Sequence, residues 1–204
     1  MNKELNDSIL KSNTSIIGIV CKDGVVVGAD RRSTAGNLII EKNAEKITPI
    51  TNYALVACTG GVSDIQRSKK VVAAELKIKE LKSRSRPTIR EAANLYSTVT
   101  YYQIRQYSPI ISIVGSLIAG LNEDGTAELY SVEPAGSVIK VENYDANFGS
   151  GMPFILGLLE RQYKKGLSVQ EGVELAKEAL KSSTQRDTGS GSGLVHMAPG
   201  CGPE

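Results

Sequence analysis

The sequence predicts a layered α+β domain in which antiparallel sheets are covered by helices on their outer faces. Short β-branched runs separated by tight turns fill residues 14–58, and two helical stretches follow. The same order, strands and then two helices, returns between residues 111 and 184. With 204 residues, 41% of them apolar and 23% charged, the chain has a globular balance and enough length for one sizeable core. No internal repeat or interdomain linker interrupts it.

The first element is a hairpin. Residues 16–21 and 25–28 flank Lys22-Asp23-Gly24, and β-branched residues on both sides of an Asp-Gly turn favour antiparallel pairing. Such pairing brings Thr14, which opens the first strand, near Asp30, which closes the second. A hydroxyl and a carboxylate at one sheet edge make a candidate site, although both residue types also serve ordinary turn chemistry. Residues 38–40 and 46–50 are further strand candidates, with Lys46 at the start of the second, either a solvated lysine or a member of the site.

Residues 53–58 read as a strand ending in Thr59-Gly60-Gly61. Glycines between a strand and a helix permit close backbone approach to a ligand, and the Gly60 N–H is a candidate oxyanion donor as well as a plain turn. Ser63 or Asp64 then caps a helix whose buried face carries Ile65, Val72, Leu76 and Ile78. After Pro87, Thr88-Ile89-Arg90-Glu91 is a capping box, and Ile89, Ala92, Ala93, Tyr96 and Val99 recur at helical spacing. Strands follow at 111–119, 127–132 and 137–141, with a turn at 122–125. The run 148–151 breaks the pattern before Pro153 opens a third helix. A second capping box at 168–171 starts a fourth, along Val169, Gly172, Val173, Ala176 and Leu180, ending near Thr184. Residues 185–193 read as a flexible polar loop.

Composition excludes several functions. No apolar run approaches the roughly 20 residues that span a bilayer. Residues 1–13 are polar and lack the apolar stretch of a secretory signal, so the expected compartment is the cytoplasm. A net charge of +2 and a basic cluster (Lys82, Arg84, Arg86, Arg90) without interleaved aromatics give no nucleic-acid signal, and the cluster reads as a solvated linker. Cysteines at 21, 58 and 201 have no CxxC spacing, so no metal or organic cofactor is implied. The single histidine, His196, lies near the C-terminus. Any hydrolytic base is therefore expected to be something other than histidine.

Thr14-Ser15-Ile16-Ile17-Gly18, Ala29-Asp30-Arg31-Arg32-Ser33-Thr34 and Lys42-Asn43-Ala44-Glu45-Lys46 resemble the start of a proteasome β subunit, most like the archaeal type. Gly149-Ser150-Gly151 with Pro153-Phe154, and Gln185-Arg186-Asp187 with Ser190-Gly191, look like the family's two later signatures. The register holds from Thr14 to about Gly193. The resemblance implies an N-terminal-nucleophile hydrolase fold, a four-layer α-β-β-α sandwich with two antiparallel sheets. It also implies a propeptide at residues 1–13, removed by self-cleavage, and a peptidase domain over 14–204. Thr14 matches the nucleophile, Asp30 and Lys46 its charged neighbours, Gly60 the oxyanion donor, and Ser150, Asp187 and Ser190 the supporting hydrogen-bond set. Thr34, Gly60 and Val62 match positions that hold substrate as an added strand; Ala44, Cys58 and Val62 match the specificity-pocket wall. Implied partners are α subunits and other β subunits in stacked rings of seven, an ATP-dependent unfoldase ring, and unfolded polypeptides.

The residues allow that chemistry. An α-amino group titrates near pH 7.7–8.0 and can accept a hydroxyl proton, and an ammonium at Lys46 favours the developing negative charge. Small, uncharged pocket residues point to cleavage after apolar side chains. Two departures stand out. Asn13 precedes Thr14 where the family usually has glycine; without cleavage the amine stays an amide, leaving a catalytically silent structural subunit. After Gly193 the sequence turns to Pro and Gly, so an edge strand is expected to be missing.

Overall fold

The computed structural model describes residues 11–12, 14–35, 37–110 and 112–197. In chain order the strands are β1 (Lys11–Ser12), β2 (Ile16–Cys21), β3 (Gly24–Asp30), β4 (Ser33–Ala35), β5 (Leu38–Glu41), β6 (Ile47–Pro49) and β7 (Ala54–Gly61). Helices α1 (Val62–Ser83) and α2 (Ile89–Arg105) follow, then β8 (Val114–Leu121), β9 (Ala127–Val132), β10 (Val138–Lys140) and β11 (Tyr144–Asp145). Helices α3 (Met152–Gln162) and α4 (Val169–Thr184) lead to β12 (Gly193–Met197).

Two antiparallel sheets result. One runs β10-β9-β8-β7-β1-β4-β5, with β6 also paired to β7, and the other runs β11-β2-β3-β12. Alternation along the strands sends side chains to opposite faces and so divides the interior into three cores. Ile16, Val25 and Val27 meet Leu55, Ala57, Leu117 and Leu129 between the sheets. Val56, Cys58 and Ile118 turn the other way, onto Val72 and Leu76 of α1 and Ala92 and Tyr96 of α2. Ile17, Ile19 and Val26 pack on Ile155 and Leu159 of α3 and Ala176 and Leu180 of α4. The layers are therefore α1/α2, sheet, sheet, α3/α4, as the resemblance implies. A strand covered on both faces needs apolar residues at every position, which is why β3 is buried along its whole length.

Both predicted capping boxes form. Thr88 and Ser168 accept from the N–H of Glu91 and Glu171, whose carboxylates reach back to the cap N–H groups. The expected Ser63 or Asp64 cap does not: β7 runs directly into α1 with Gly61 as the cap residue, so both side chains already lie in the first turn. Nor is the basic cluster wholly solvated, because the Arg86 guanidinium sits 3.9 Å over the Tyr53 ring and donates to the Leu121 carbonyl.

The end of the chain needs a larger correction. Gly193 to Met197 pair with β3 from Asp30 to Val26, so the chain rejoins the sheet where it was expected to leave it. Leu194, Val195 and Met197 supply the residue types a ladder needs, and the Pro- and Gly-rich end at 198–204 lies outside the described residues. Equally unforeseen is β1, which pairs with Thr34 of β4 on one side and with Gly60 and Gly61 of β7 on the other.

Leu129 is fully buried at the junction of the sheets, where a Cβ added at Gly18 would lie 2.7 Å from it. We expect Leu129→Ala to destabilise the subunit by about 3 kcal/mol, read as a lowered urea midpoint with unchanged slope.

Candidate active site

Pairing within the first hairpin places Thr14 and Asp30 at one end of the two central strands of the second sheet, where the Asp30 N–H donates to the Ser15 carbonyl at 3.0 Å. Thr14, Ser15 and Asp30 are all buried. The Asp30 carboxylate accepts four hydrogen bonds. Its Oδ1 takes the Ser15 N–H at 2.9 Å and the Lys46 Nζ at 2.7 Å; its Oδ2 takes the N–H groups of Arg32 and Gly191, each at 2.8 Å. One carboxylate oxygen therefore links Lys46 to the residue immediately after Thr14.

Lys46 is brought there by β6, where the Cys58 N–H donates to the Lys46 carbonyl and extends the β6–β7 ladder by one residue. Its side chain is only 3% exposed. Burial lowers the Lys46 pKa below its ordinary 10.5, and the adjacent Asp30 charge and hydrogen bond offset part of that effect. The lysine that composition alone leaves solvated is thus a buried, paired cation.

A second set of hydrogen bonds joins three distant segments. Ser15 Oγ lies 2.6 Å from Ser190 Oγ, Ser190 Oγ donates to Asp187 Oδ2, and Ser150 Oγ donates to the same oxygen at 2.8 Å. Residues 185–193 are therefore not the flexible loop expected: Ser190 is fully buried, and the Gly189 N–H donates to Asp187 Oδ1. The loop before α3 presses on the same strand start. A Cβ at Gly151 would stand 1.8 Å from Ser15 Oγ, so no larger residue fits there without displacing the serine. Asn147 holds that loop from behind, with Nδ2 donating to the Ser116 carbonyl and Ser131 Oγ.

Across the opening, Gly60 has φ +123°, and a Cβ there would meet the Ile113 carbonyl oxygen at 1.9 Å. Thr34 and Gly60 flank β1 on opposite sides, two of the three positions expected to hold an added strand. Val62, the third, is half-buried at the first turn of α1. Ala44 is half-buried and donates its N–H to the Arg31 carbonyl at 2.9 Å. Cys58 is buried on the helix-facing side, its Sγ 3.2 Å from Tyr96 Oη and 3.5 Å from Ser116 Oγ.

Sequence reasoning missed Ser15, the backbone donors of Arg32 and Gly191, and Asn147. Adjacency to Thr14 was the only available signal for Ser15; the others act through backbone groups or across long separations. Among the described residues no cluster of three or more His, Cys, Asp or Glu is arranged to hold a metal ion, and no helix is long and apolar enough to cross a membrane.

Comparison with known proteins agrees with this architecture. The family model described as "Proteasome subunit" matches residues 10–197. A proteasome subunit beta of Nanoarchaeum equitans is 40% identical over 181 residues, covering 89% of this chain and 90% of the relative. The proteasome subunit beta of Methanopyrus kandleri is 38% identical over 193 residues, covering 95% and 89%. That of Ferroglobus placidus is 34% identical over 190 residues, covering 93% and 87%. With most of the sequence matched, and both sheets and both helix layers in place, the chain belongs to the proteasome subunit family and is a core subunit that assembles with other proteasome subunits.

Proposed function

We propose that this core subunit is a threonine endopeptidase whose nucleophile, Thr14, is released by self-cleavage of the Asn13–Thr14 bond. The observation that carries the reading is the Asp30–Lys46 pair: a buried cation held by a four-bonded carboxylate, one residue from Thr14. Burying an ion pair is no general route to stability, so a lysine placed on this carboxylate beside Thr14 favours a catalytic use.

In the first step the Thr14 hydroxyl attacks the Asn13 carbonyl carbon, and the amide nitrogen leaves as the Thr14 amine. Water then hydrolyses the resulting ester, releasing the propeptide 1–13 and leaving a peptidase domain that starts at Thr14. The free α-amine now serves as base for the hydroxyl in attack on a substrate carbonyl. Lys46 favours the developing alkoxide and disfavours protonation of the amine. The tetrahedral oxyanion forms at the Gly60 N–H, the substrate amine departs, and water resolves the acyl-enzyme on Thr14. Asp187, Ser150 and Ser190 keep the Thr14–Ser15 backbone and its hydroxyl neighbours in register. The pairing of residues 11–12 between β4 and β7 supports a substrate bound as an added strand along Thr34 and Gly60. The subunit would work in the cytoplasm within stacked seven-membered α and β rings, on unfolded polypeptides delivered by an ATP-dependent unfoldase.

Intact-mass measurement after co-expression with the α subunit tests the reading. Loss of residues 1–13 is expected in the wild type and not in Thr14→Ala; a full-length wild-type mass in an assembled particle would make this a silent structural subunit. Lys46→Met is expected to lower kcat by at least about 100-fold with KM little changed, since the cation acts on the nucleophile and not on substrate binding. Because the folded pKa of Lys46 lies below 10.5, the ammonium loses its proton before a solvated lysine does. The alkaline limb of the kcat/KM profile should therefore set in below that value, and a rate constant up to pH 10.5 would contradict it.

A further inference from the structure

The loop between β11 and α3 turns on Asn147, whose backbone takes the left-handed form with φ +41°. Among the described residues the only other non-glycine with a positive φ is Arg84, an exposed residue capping the end of α1. Such a conformation persists only where the surroundings hold it. Asn147 is 5% exposed, and each of its polar groups is bonded. Its Nδ2 donates to the Ser116 carbonyl at 2.9 Å and to Ser131 Oγ at 2.8 Å, and its Oδ1 accepts from the Phe148 N–H. Its own N–H donates to Asp145 Oδ1 at 3.2 Å, and its carbonyl accepts from the Gly149 N–H at 3.1 Å.

These bonds tie two halves of the site together. On one side Asn147 grips the larger sheet close to Gly60. A Cβ at Gly115 would lie 2.4 Å from Asn147 Oδ1 and 3.2 Å from Thr59 Cγ2, and Gly115 stands directly opposite Thr59, the residue before Gly60. On the other side, two residues along, the loop rests on Thr14. A Cβ at Gly149 would lie 2.2 Å from the Thr14 carbonyl oxygen, which also receives the Gly151 N–H at 3.5 Å. Thr14 leads into the smaller sheet, and Gly60 belongs to the larger one. The apolar contacts between those sheets are non-directional, so they set the spacing but resist sliding poorly. Lys46 and Asp30 supply one directional tie, through the Ser15 N–H. That tie alone would leave the strand start able to pivot; a second one, on the Thr14 carbonyl, fixes its direction.

We propose that Asn147 is a positioning residue for peptide cleavage, holding the Thr14 hydroxyl at the distance and angle from the Gly60 N–H that attack requires. This role rests on the peptidase reading, and Asn147 fills it through the loop 147–151 without touching the reacting atoms. Displacing a nucleophile by about 1 Å costs roughly 100-fold in rate, because attack and oxyanion stabilisation must be met in one geometry. Substrate held as an added strand along Thr34 and Gly60 pairs within the larger sheet alone. Loss of the tie should therefore appear in kcat and not in KM.

Particles co-expressed with the α subunit test it, with rates counted per chain that intact mass shows to have lost residues 1–13. We expect Asn147→Gly, which keeps the backbone form but drops the side-chain bonds, to lower kcat about 30-fold or more while KM moves by less than about twofold. A peptide aldehyde and its matching alcohol give a second readout. The Thr14 hydroxyl adds across the aldehyde carbonyl and leaves the resulting oxygen at Gly60, whereas the alcohol only occupies the cleft. Asn147→Gly should weaken the aldehyde by a similar factor and leave the alcohol unchanged, a split that general loosening of the fold would not produce. Should that variant fail to assemble or to shed its propeptide, Ser131→Ala removes one acceptor alone and should lower kcat about threefold with KM unchanged. In either variant, a kcat and an aldehyde preference equal to the wild type, or a loss carried by KM, overturn the role of Asn147 and leave the peptidase reading standing. Wild-type particles that neither cleave peptides nor prefer the aldehyde take down both.

Discussion

A carboxylate taken out of water must recover in hydrogen bonds what it loses in hydration, and the shortfall otherwise amounts to several kcal/mol. Asp30 meets that demand with four donors drawn from four separate stretches: Ser15, Arg32, Lys46 and Gly191. Each donor fixes a piece of chain. The start of β2, the turn after β3, the approach to β6 and the loop before β12 all converge because one buried anion requires them. Remove the carboxylate, and three backbone N–H groups lose their acceptor while the Lys46 ammonium loses its counter-ion. The two sheets are joined at this point by charge and hydrogen bonding, whereas elsewhere they are joined by the apolar contacts of Ile16, Leu117 and Leu129.

The second network works by crowding. Gly151 lets the loop before α3 come against Ser15, and the Ser15–Ser190–Asp187–Ser150 chain then closes over it. Short, charge-assisted hydrogen bonds to Asp187 stiffen a segment made of small polar residues, which by composition alone belongs to a mobile loop. Rigidity here comes from a carboxylate placed inside the loop, and it is felt at the backbone of Thr14, whose carbonyl receives the Gly151 N–H.

Much of this was legible in the sequence, for identifiable reasons. The β2–β3 hairpin, both capping boxes and the four helices depend on contacts within a few residues, so pattern and local chemistry sufficed. Thr14 and Asp30 could be paired because one hairpin carries both. Lys46 was ambiguous, since nothing local distinguishes a buried lysine from a solvated one; its state is decided by Asp30, sixteen residues away. The pairing of Gly193–Met197 with β3 was misread because its partners lie more than 160 residues away, and the order of residues 185–193 because the bonds within the loop to Asp187 are joined by equally distant ones to Ser15 and Asp30. The role of Gly61 as a bare helix cap was missed for a different reason. A strand that passes directly into a helix leaves no turn for a capping side chain to occupy.

The pairing of β1 with both β4 and β7 has a consequence for the larger sheet. Two strands flanking a third lie about 9.6 Å apart, twice the usual spacing, so taking β1 away would open a gap of one strand's width lined on both sides by bare N–H and C=O groups. Two exposed edges facing each other form a far stronger trap than one, since an extended chain is bonded along both flanks while a helix, with its own bonds closed, gains nothing. The trap makes no distinction between prey and kin: the strand of a neighbouring copy would fit as well as any other. Leaving β1 in place until the gap is walled off from bulk solution would keep free subunits from adhering to one another through it.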